Sequence, residues 1–166
     1  MVYTKTIPSP LGNILLSSNG EDLTGLWFEG QTYFAATILD EDITQDSSLP
    51  IFLQAEDWLR IYFSGKEPPF TPALSPKGSD FRQLVWNVLL SIPYGETLSY
   101  SDIASQLLTQ AKHQTSPRAV GGAVGHNPIS LIIPCHRVIG KNGDLTGFAG
   151  GLERKIHLLN LENIHE

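Results

Sequence analysis

Residues 68–79, Pro-Pro-Phe-Thr-Pro-Ala-Leu-Ser-Pro-Lys-Gly-Ser, hold four prolines and a glycine, and they break the chain in two. Proline fixes φ and removes a backbone donor, so neither a helix nor a central strand runs through such a stretch; its composition is that of a linker. Two units are expected, residues 1–75 and 76–166. They differ sharply in charge. The first holds three bases (Lys5, Arg60, Lys66) and ten acids, a net of −7, whereas the second holds eight bases and seven acids, a net of +1. From Ile103 to Gly143 there is no acid in 41 residues, while Lys112, Arg118, Arg137 and Lys141 are present. The overall charge of −6 argues against a polyanionic partner only as an average. Resolved by segment, the second unit can offer one face to an anion.

A hydrophobic fraction of 41% over 166 residues supplies ordinary cores without disulfides, and one cysteine, Cys135, cannot form an internal disulfide or a multi-thiolate zinc site. The start, MVYTKTIPSPLGN, has no basic n-region or apolar h-region, and no apolar run approaches the roughly 20 residues of a membrane span. The expectation is a cytoplasmic protein with no membrane partner.

Val2 to Ile7, Asn13 to Ser17 and Leu23 to Glu29 read as strands separated by the turn signals Pro10-Leu11-Gly12 and Asn19-Gly20-Glu21-Asp22. Ile51 to Ser64 has the apolar spacing of one helical face. The first unit is thus a small α+β domain without visible chemistry. Beyond the linker, Ser79 caps a helix with the face Phe81, Leu84, Val85, Val88, Leu89 and Ile92, which Pro93 stops. Ser99-Tyr100-Ser101-Asp102 resembles a capping box ahead of Ile103, Ala104 and Leu107, and Ser116-Pro117 starts a short helix from Arg118 to about Gly125. The last two form a helix-turn-helix-like pair, which by itself is a weak signal for DNA.

The chemistry lies after Asn127-Pro128. Ser130 to Ile133 reads as an apolar extended stretch that delivers Pro134-Cys135-His136-Arg137 to a turn, ahead of the glycine-rich Gly140 to Gly143. A lone cysteine is most often a small buried hydrophobe. Here cationic neighbours and turn amides lower a thiol pKa from its reference of about 8.5, and the thiolate is the nucleophile. No serine-nucleophile elbow or phosphate-binding loop is present. A Cys–His hydrolase with His136 as base stays open on these residues. Neighbours in an extended segment point oppositely, so proton transfer between Cys135 and His136 would pass through a water. No spacing suggests a metal site.

The run from Gly125 through Asn127, Pro134-Cys135-His136-Arg137 to Gly140, followed by Gly147-Phe148-Ala149-Gly150-Gly151-Leu152, strongly resembles the active-site signature of the O6-alkylguanine-DNA alkyltransferases, the methylated-DNA-protein-cysteine methyltransferases. Arg118-Ala119-Val120-Gly121-Gly122-Ala123 looks like their recognition helix, and the likeness covers residues 79 to 162 nearly continuously. It implies an α+β protein whose C-terminal winged-helix domain binds the minor groove of alkylated double-stranded DNA, flips the damaged base and moves its O6-alkyl group onto Cys135. In that picture His136 acts on the thiol through water, Glu162 orients the imidazole, and Asn127 is the hinge between recognition helix and nucleophile. Tyr100, Arg118, Ala119, Gly121, Gly122 and Arg137 would contact DNA, with Tyr100 helping to rotate the nucleotide and Arg118 filling the gap. Tyr100, Val124, Val138, Phe148 and Ala149 would line the base pocket.

The resemblance further implies single-turnover repair by a monomer, without cofactor or metal, extending to O4-methylthymine. The product thioether is a dead end, and no second thiol exists to relieve it. Bland readings run alongside: a solvated Glu162, a packed Tyr100, a surface Arg118, and Gly121 and Gly122 serving only helix packing. Rival functions are a non-repairing binder of alkylated bases with the same fold, the hydrolase, and a transcriptional regulator. The presence of Cys135 counts against the first.

Overall fold

The computed structural model describes residues 1–46, 48–145 and 148–163. The chain forms two compact units, the first made of Met1–Lys77 with Pro128–Ser130 and the second of Gly78–Asn127 with Leu131–Glu166. The boundary falls between Lys77 and Gly78, two residues beyond the expected division at 75. Three residues from the middle of the second sequence half belong to the first unit.

In the first unit β1 (Val2–Ile7), β2 (Ile14–Ser18) and β3 (Leu23–Phe28) form an antiparallel meander. A short β4 (Ile43–Gln45) pairs parallel to β1, giving the order β3-β2-β1-β4. The sequence did not announce β4, because its three exposed residues carry no apolar alternation. Strand alternation gives the sheet two faces. One holds Ile14, Leu16, Leu26 and Phe28, buried beneath helix α1 (Pro50–Phe63). Lys5 on the same face reaches Glu56 of α1 at 2.9 Å. On the other face Trp27 packs with Ala35 and Ile38, against Val2 and Leu15. A Cβ at Gly25 would lie 2.1 Å from the Trp27 ring, so only glycine lets the indole lie along the strand there. The outer edge of β3 does not stay open. Leu23 exchanges hydrogen bonds with Ala73 and Ser75, and Leu26 with Pro128 and Ser130, at 2.8–3.0 Å.

The second unit is built on α2 (Asp80–Leu90), α3 (Tyr100–Ala111) and α4 (Pro117–Gly125), with the two-residue parallel strands β5 (Leu98–Ser99) and β6 (Val138–Ile139), and α5 (Leu152–Leu161). The expected caps are present. Ser79 accepts the Arg82 N–H; Ser99 and Asp102 form a full capping box at 3.0 Å in both directions; Ser116 accepts the Ala119 N–H, with Pro117 at the first helical position. Each satisfies a donor that a helix start leaves open. Trp86 of α2 donates its indole N–H to the Ala123 carbonyl of α4 at 2.9 Å, fixing α4 to α2. None of the helices is long and apolar enough to cross a membrane among the described residues.

One expectation fails locally. Ser130 to Ile133 is a turn and not an extended stretch, and Leu131 within it has φ +72° although it is fully buried. A bulky residue in the left-handed region is strained by roughly 1–3 kcal/mol and persists only where its surroundings enforce it.

Trp86→Phe keeps the ring packing but leaves the buried Ala123 carbonyl without its indole donor. A loss of about 1–3 kcal/mol in stability is expected from urea unfolding.

Candidate active site

The Leu131 turn sets the backbone that presents the nucleophile. Pro134, at φ −80° and ψ 67°, occupies the centre of an inverse γ-turn, and the Cys135 N–H returns to the Ile133 carbonyl at 2.8 Å. That same carbonyl accepts the Asn127 side-chain amide at 2.8 Å. Both acceptor positions of one oxygen are thereby filled, and the end of α4 is tied to the residue before Pro134. Asn127 is buried and its own N–H bonds to Val124. Cys135–Arg137 then form a single 3-10 turn, so Cys135 and His136 do not alternate as they would on a strand.

Cys135 is buried and in no disulfide. His136 beside it is fully buried, and its Nε2 lies 2.6 Å from Glu162 Oε2. Arg137 Nε donates to Glu162 Oε1 at 2.8 Å, and the Gly95 N–H donates to the same oxygen at 3.0 Å. The guanidinium also donates to the Ile92 carbonyl at 2.8 Å and lies 5.6 Å over the Tyr94 ring. Arg137 was expected at the DNA surface. Instead it is buried, turned inward by a carboxylate 25 residues away.

Burial is the largest influence on His136 and disfavours its cation; Arg137 and Lys155 add to that, while Glu162 opposes it, and the net shift is downward. Burial alone would raise the Glu162 carboxyl, but the His136 and Arg137 hydrogen bonds and charges outweigh it and hold the group well below the usual carboxylate range. Glu162 is therefore ionised beside a neutral imidazole. An ionised carboxylate only accepts, so Nε2 carries the ring proton and Nδ1 is left as the basic nitrogen.

Lys155 is a site residue that the sequence reading missed. It is fully buried, and its ammonium donates to the Val138 carbonyl at 2.6 Å. The signal was present in α5. Lys155, Leu158, Leu159 and Glu162 recur at helical spacing, and all four are buried, so two charged residues occupy the apolar face. Tyr100, at the start of α3, is half-buried; burial raises its phenol, and the charge of Cys135 raises it further, so it remains a protonated donor.

The remaining expected residues divide into two groups. Arg118, Ala119 and Gly122 lie exposed on α4, and Gly121 packs with the Tyr100 ring 3.7 Å from where a Cβ would be. Val124 and Val138 are buried, while Phe148 and Ala149 lie half-buried on the loop before α5, the Phe148 ring against Gly150. Gly147 of the signature lies outside the described residues. Among the described residues no cluster of three or more His, Cys, Asp or Glu side chains could hold a metal.

His136 and Glu162 both have folded pKa values depressed below their unfolded ones, about 6.5 and 4.3. Each contributes stability that is complete above its unfolded pKa and is lost as pH falls through its folded value. The melting temperature is expected to drop from about pH 7 to pH 5 as the unfolded chain takes up the proton that buried His136 refuses. His136→Gln, which cannot titrate, should remove most of that drop; an unchanged slope would contradict the assignment.

The chain is similar to known proteins over nearly its whole length. Residues 80–164 match the profile of the 6-O-methylguanine DNA methyltransferase DNA-binding domain, and residues 1–76 that of the ribonuclease-like domain of the same proteins. The chain is 46% identical over 162 residues to a methylated-DNA–protein-cysteine methyltransferase of Mycobacterium tuberculosis, covering 98% of this chain and 93% of that one. It is 41% identical to the protein of that name in Haemophilus influenzae, over 98% and 87% of the two chains. The crystal structure of M. tuberculosis OGT in complex with DNA superimposes with a TM-score of 0.85 at 45% identity, covering 96% of this chain and 92% of that one. Two domain profiles in order, matched over nearly the whole length, establish that this chain belongs to the 6-O-methylguanine DNA methyltransferase family.

Proposed function

We propose that this protein repairs O6-alkylated guanine in double-stranded DNA by moving the alkyl group irreversibly onto Cys135, once per molecule. The observation that carries the reading is the buried thiol of Cys135 set one residue from a neutral His136 whose ring is oriented by ionised Glu162. Nδ1 of His136 takes the thiol proton through a water, and the imidazolium that forms is stabilised by Glu162. The thiolate attacks the alkyl carbon and the carbon–oxygen bond to O6 breaks. Guanine leaves with the proton, and Cys135 is left as a thioether. Tyr100, a protonated phenol at the start of α3, donates a hydrogen bond to the departing base.

DNA enters by α4. Arg118 and Ala119 are exposed at its start, and Gly122 is exposed in its middle with nothing within 4 Å of an added Cβ. A glycine in a helix interior costs about 1 kcal/mol relative to alanine, and no packing neighbour asks for it here. A partner that comes within contact distance of the helix backbone does ask for it, and a minor groove is such a partner. Extruding a base costs a few kcal/mol, which Arg118 offsets by filling the vacated stack. Asn127 transmits the position of α4 to Ile133, and through the γ-turn to Cys135. The same attack at carbon serves O4-methylthymine, whose methyl group is also bound to an exocyclic oxygen.

Titration of an O6-methylguanine duplex with increasing protein tests this. Repair should stop at one methyl per protein molecule, recovered as one methylated Cys135 by peptide mass spectrometry, and Cys135→Ala should repair nothing. Multiple turnovers, or methylation elsewhere, would exclude the reading. Gly122→Ala gives a sharper check of the DNA face. It should raise folding stability by about 0.5–1 kcal/mol in thermal melts while weakening duplex binding in fluorescence anisotropy. Unchanged DNA affinity in this variant would remove α4 from the interface.

A further inference from the structure

The sequence holds two Asn-Gly steps, Asn19-Gly20 and Asn142-Gly143, and their surroundings differ. Glycine has no Cβ to shield its backbone nitrogen, so that nitrogen can reach the side-chain carbonyl carbon of a preceding asparagine once both groups are free to turn. At the first step neither is free. Asn19 Oδ1 accepts from the N–H groups of Glu21 and Asp22 at 3.0 and 2.9 Å, and the Gly20 N–H donates to Ser18 Oγ at 2.9 Å. At the second step Asn142 is exposed on the turn after β6 with φ +63°, and Gly143 follows at φ +83°. The Asn142 side-chain amide makes no hydrogen bond among the described residues, and the Gly143 N–H is held by one bond of 3.2 Å to the Gly140 carbonyl.

We propose that Asn142-Gly143 is a site of spontaneous deamidation, and that the carboxylate produced there weakens the binding of DNA. The Gly143 nitrogen bonds to Cγ of Asn142, its proton and the amide nitrogen of Asn142 leave together as ammonia, and a cyclic succinimide remains. Water then opens the ring at either carbonyl, giving aspartate or, with one methylene moved into the backbone, isoaspartate. Nothing is oxidised or reduced. The position makes the new charge matter. From Ile103 to Gly143 there is no acid, so deamidation places the first carboxylate in that stretch. β6 runs parallel to β5 with Ile139 beside Ser99, so the chain leaves both strands at the same end, one into Tyr100 of α3 and the other into the turn that carries Lys141 and Asn142. Lys141 is exposed next to Asn142, and a carboxylate there offsets its charge. An anion near the phosphates opposes binding. Isoaspartate also lengthens the loop that leads to Phe148 and Ala149. The effect on DNA rests on the proposed function, whereas the modification does not.

The test stores the protein in warm, mildly alkaline buffer and digests it at intervals for peptide mass spectrometry. The peptide holding Asn142 should gain one dalton at least about tenfold faster than the peptide holding Asn19, where three hydrogen bonds must break against one. Equal rates, or a faster change at Asn19, overturn the proposal. The DNA arm uses Asn142→Asp, which reproduces the charge and tolerates the left-handed backbone, and Asn142→Gly, which is neutral and cannot deamidate. At low salt Asn142→Asp should bind a duplex about three- to tenfold more weakly than wild type in fluorescence anisotropy, and the gap should close as salt rises. Asn142→Gly should match fresh wild-type protein and keep its affinity on storage while wild type loses it. An Asn142→Asp protein with wild-type affinity, or a stored Asn142→Gly protein that declines as fast as wild type, also overturns the proposal. Fresh wild-type protein that binds no duplex would sink the functional reading instead, and the peptide masses, which involve no DNA, would still decide the modification.

Discussion

The carboxylate of Glu162 is the point on which the second unit depends. It accepts from His136, from Arg137 and from the Gly95 backbone, so one side chain near the end of α5 gathers the active-site turn and the loop after α2. Burying a carboxylate costs several kcal/mol, and an apolar side chain of similar volume in its place would avoid that cost altogether. Stability is thus a poor reason for the arrangement, and tautomer control is a better one. With Glu162 ionised, His136 must present Nδ1 as its basic nitrogen, and the base is aimed by an interaction on the far side of its ring.

A second constraint acts on the sulfur through the backbone. The Ile133 carbonyl receives Asn127 from the end of α4 and the Cys135 N–H from the γ-turn, while Leu131 just before it is held in a left-handed conformation. Strain at a buried leucine persists where its surroundings enforce it, and here the turn is anchored by the Asn127 and Cys135 bonds to Ile133. A displacement of α4 on DNA would reach Cys135 by this route. In the proposed function, chemistry and DNA recognition are joined through one oxygen atom.

Much of this was legible in the sequence, and for identifiable reasons. The caps at Ser79, Ser99 and Ser116 are local, involving residues within three positions, so the helices of the second unit could be read directly. Cys135 and His136 stood out because the proline before them and the glycines after them mark a turn. The failures share a physical origin. Arg137 reads as a DNA contact because its partner lies 25 residues away, and a sequence shows no such pairing. Lys155 escaped notice although its spacing with Glu162 places both on the inner face of α5. The turn at residues 130–133 reads as extended because its apolar run carries no glycine, and a left-handed leucine is improbable until Asn127 and Ile133 are brought together. That residues 128–130 continue the edge of β3 depends on pairing between distant segments, which no local pattern encodes.

The central claim is that Glu162 makes Cys135 reactive by fixing His136, and the most direct test is single-turnover methyl transfer by Glu162→Gln at saturating O6-methylguanine duplex. Glutamine keeps the shape and an acceptor but removes the charge that selects the tautomer and stabilises the imidazolium. The transfer rate constant should fall on the order of 10²-fold, with duplex affinity retained. A variant that folds, binds DNA and transfers the methyl group at the wild-type rate would contradict the account.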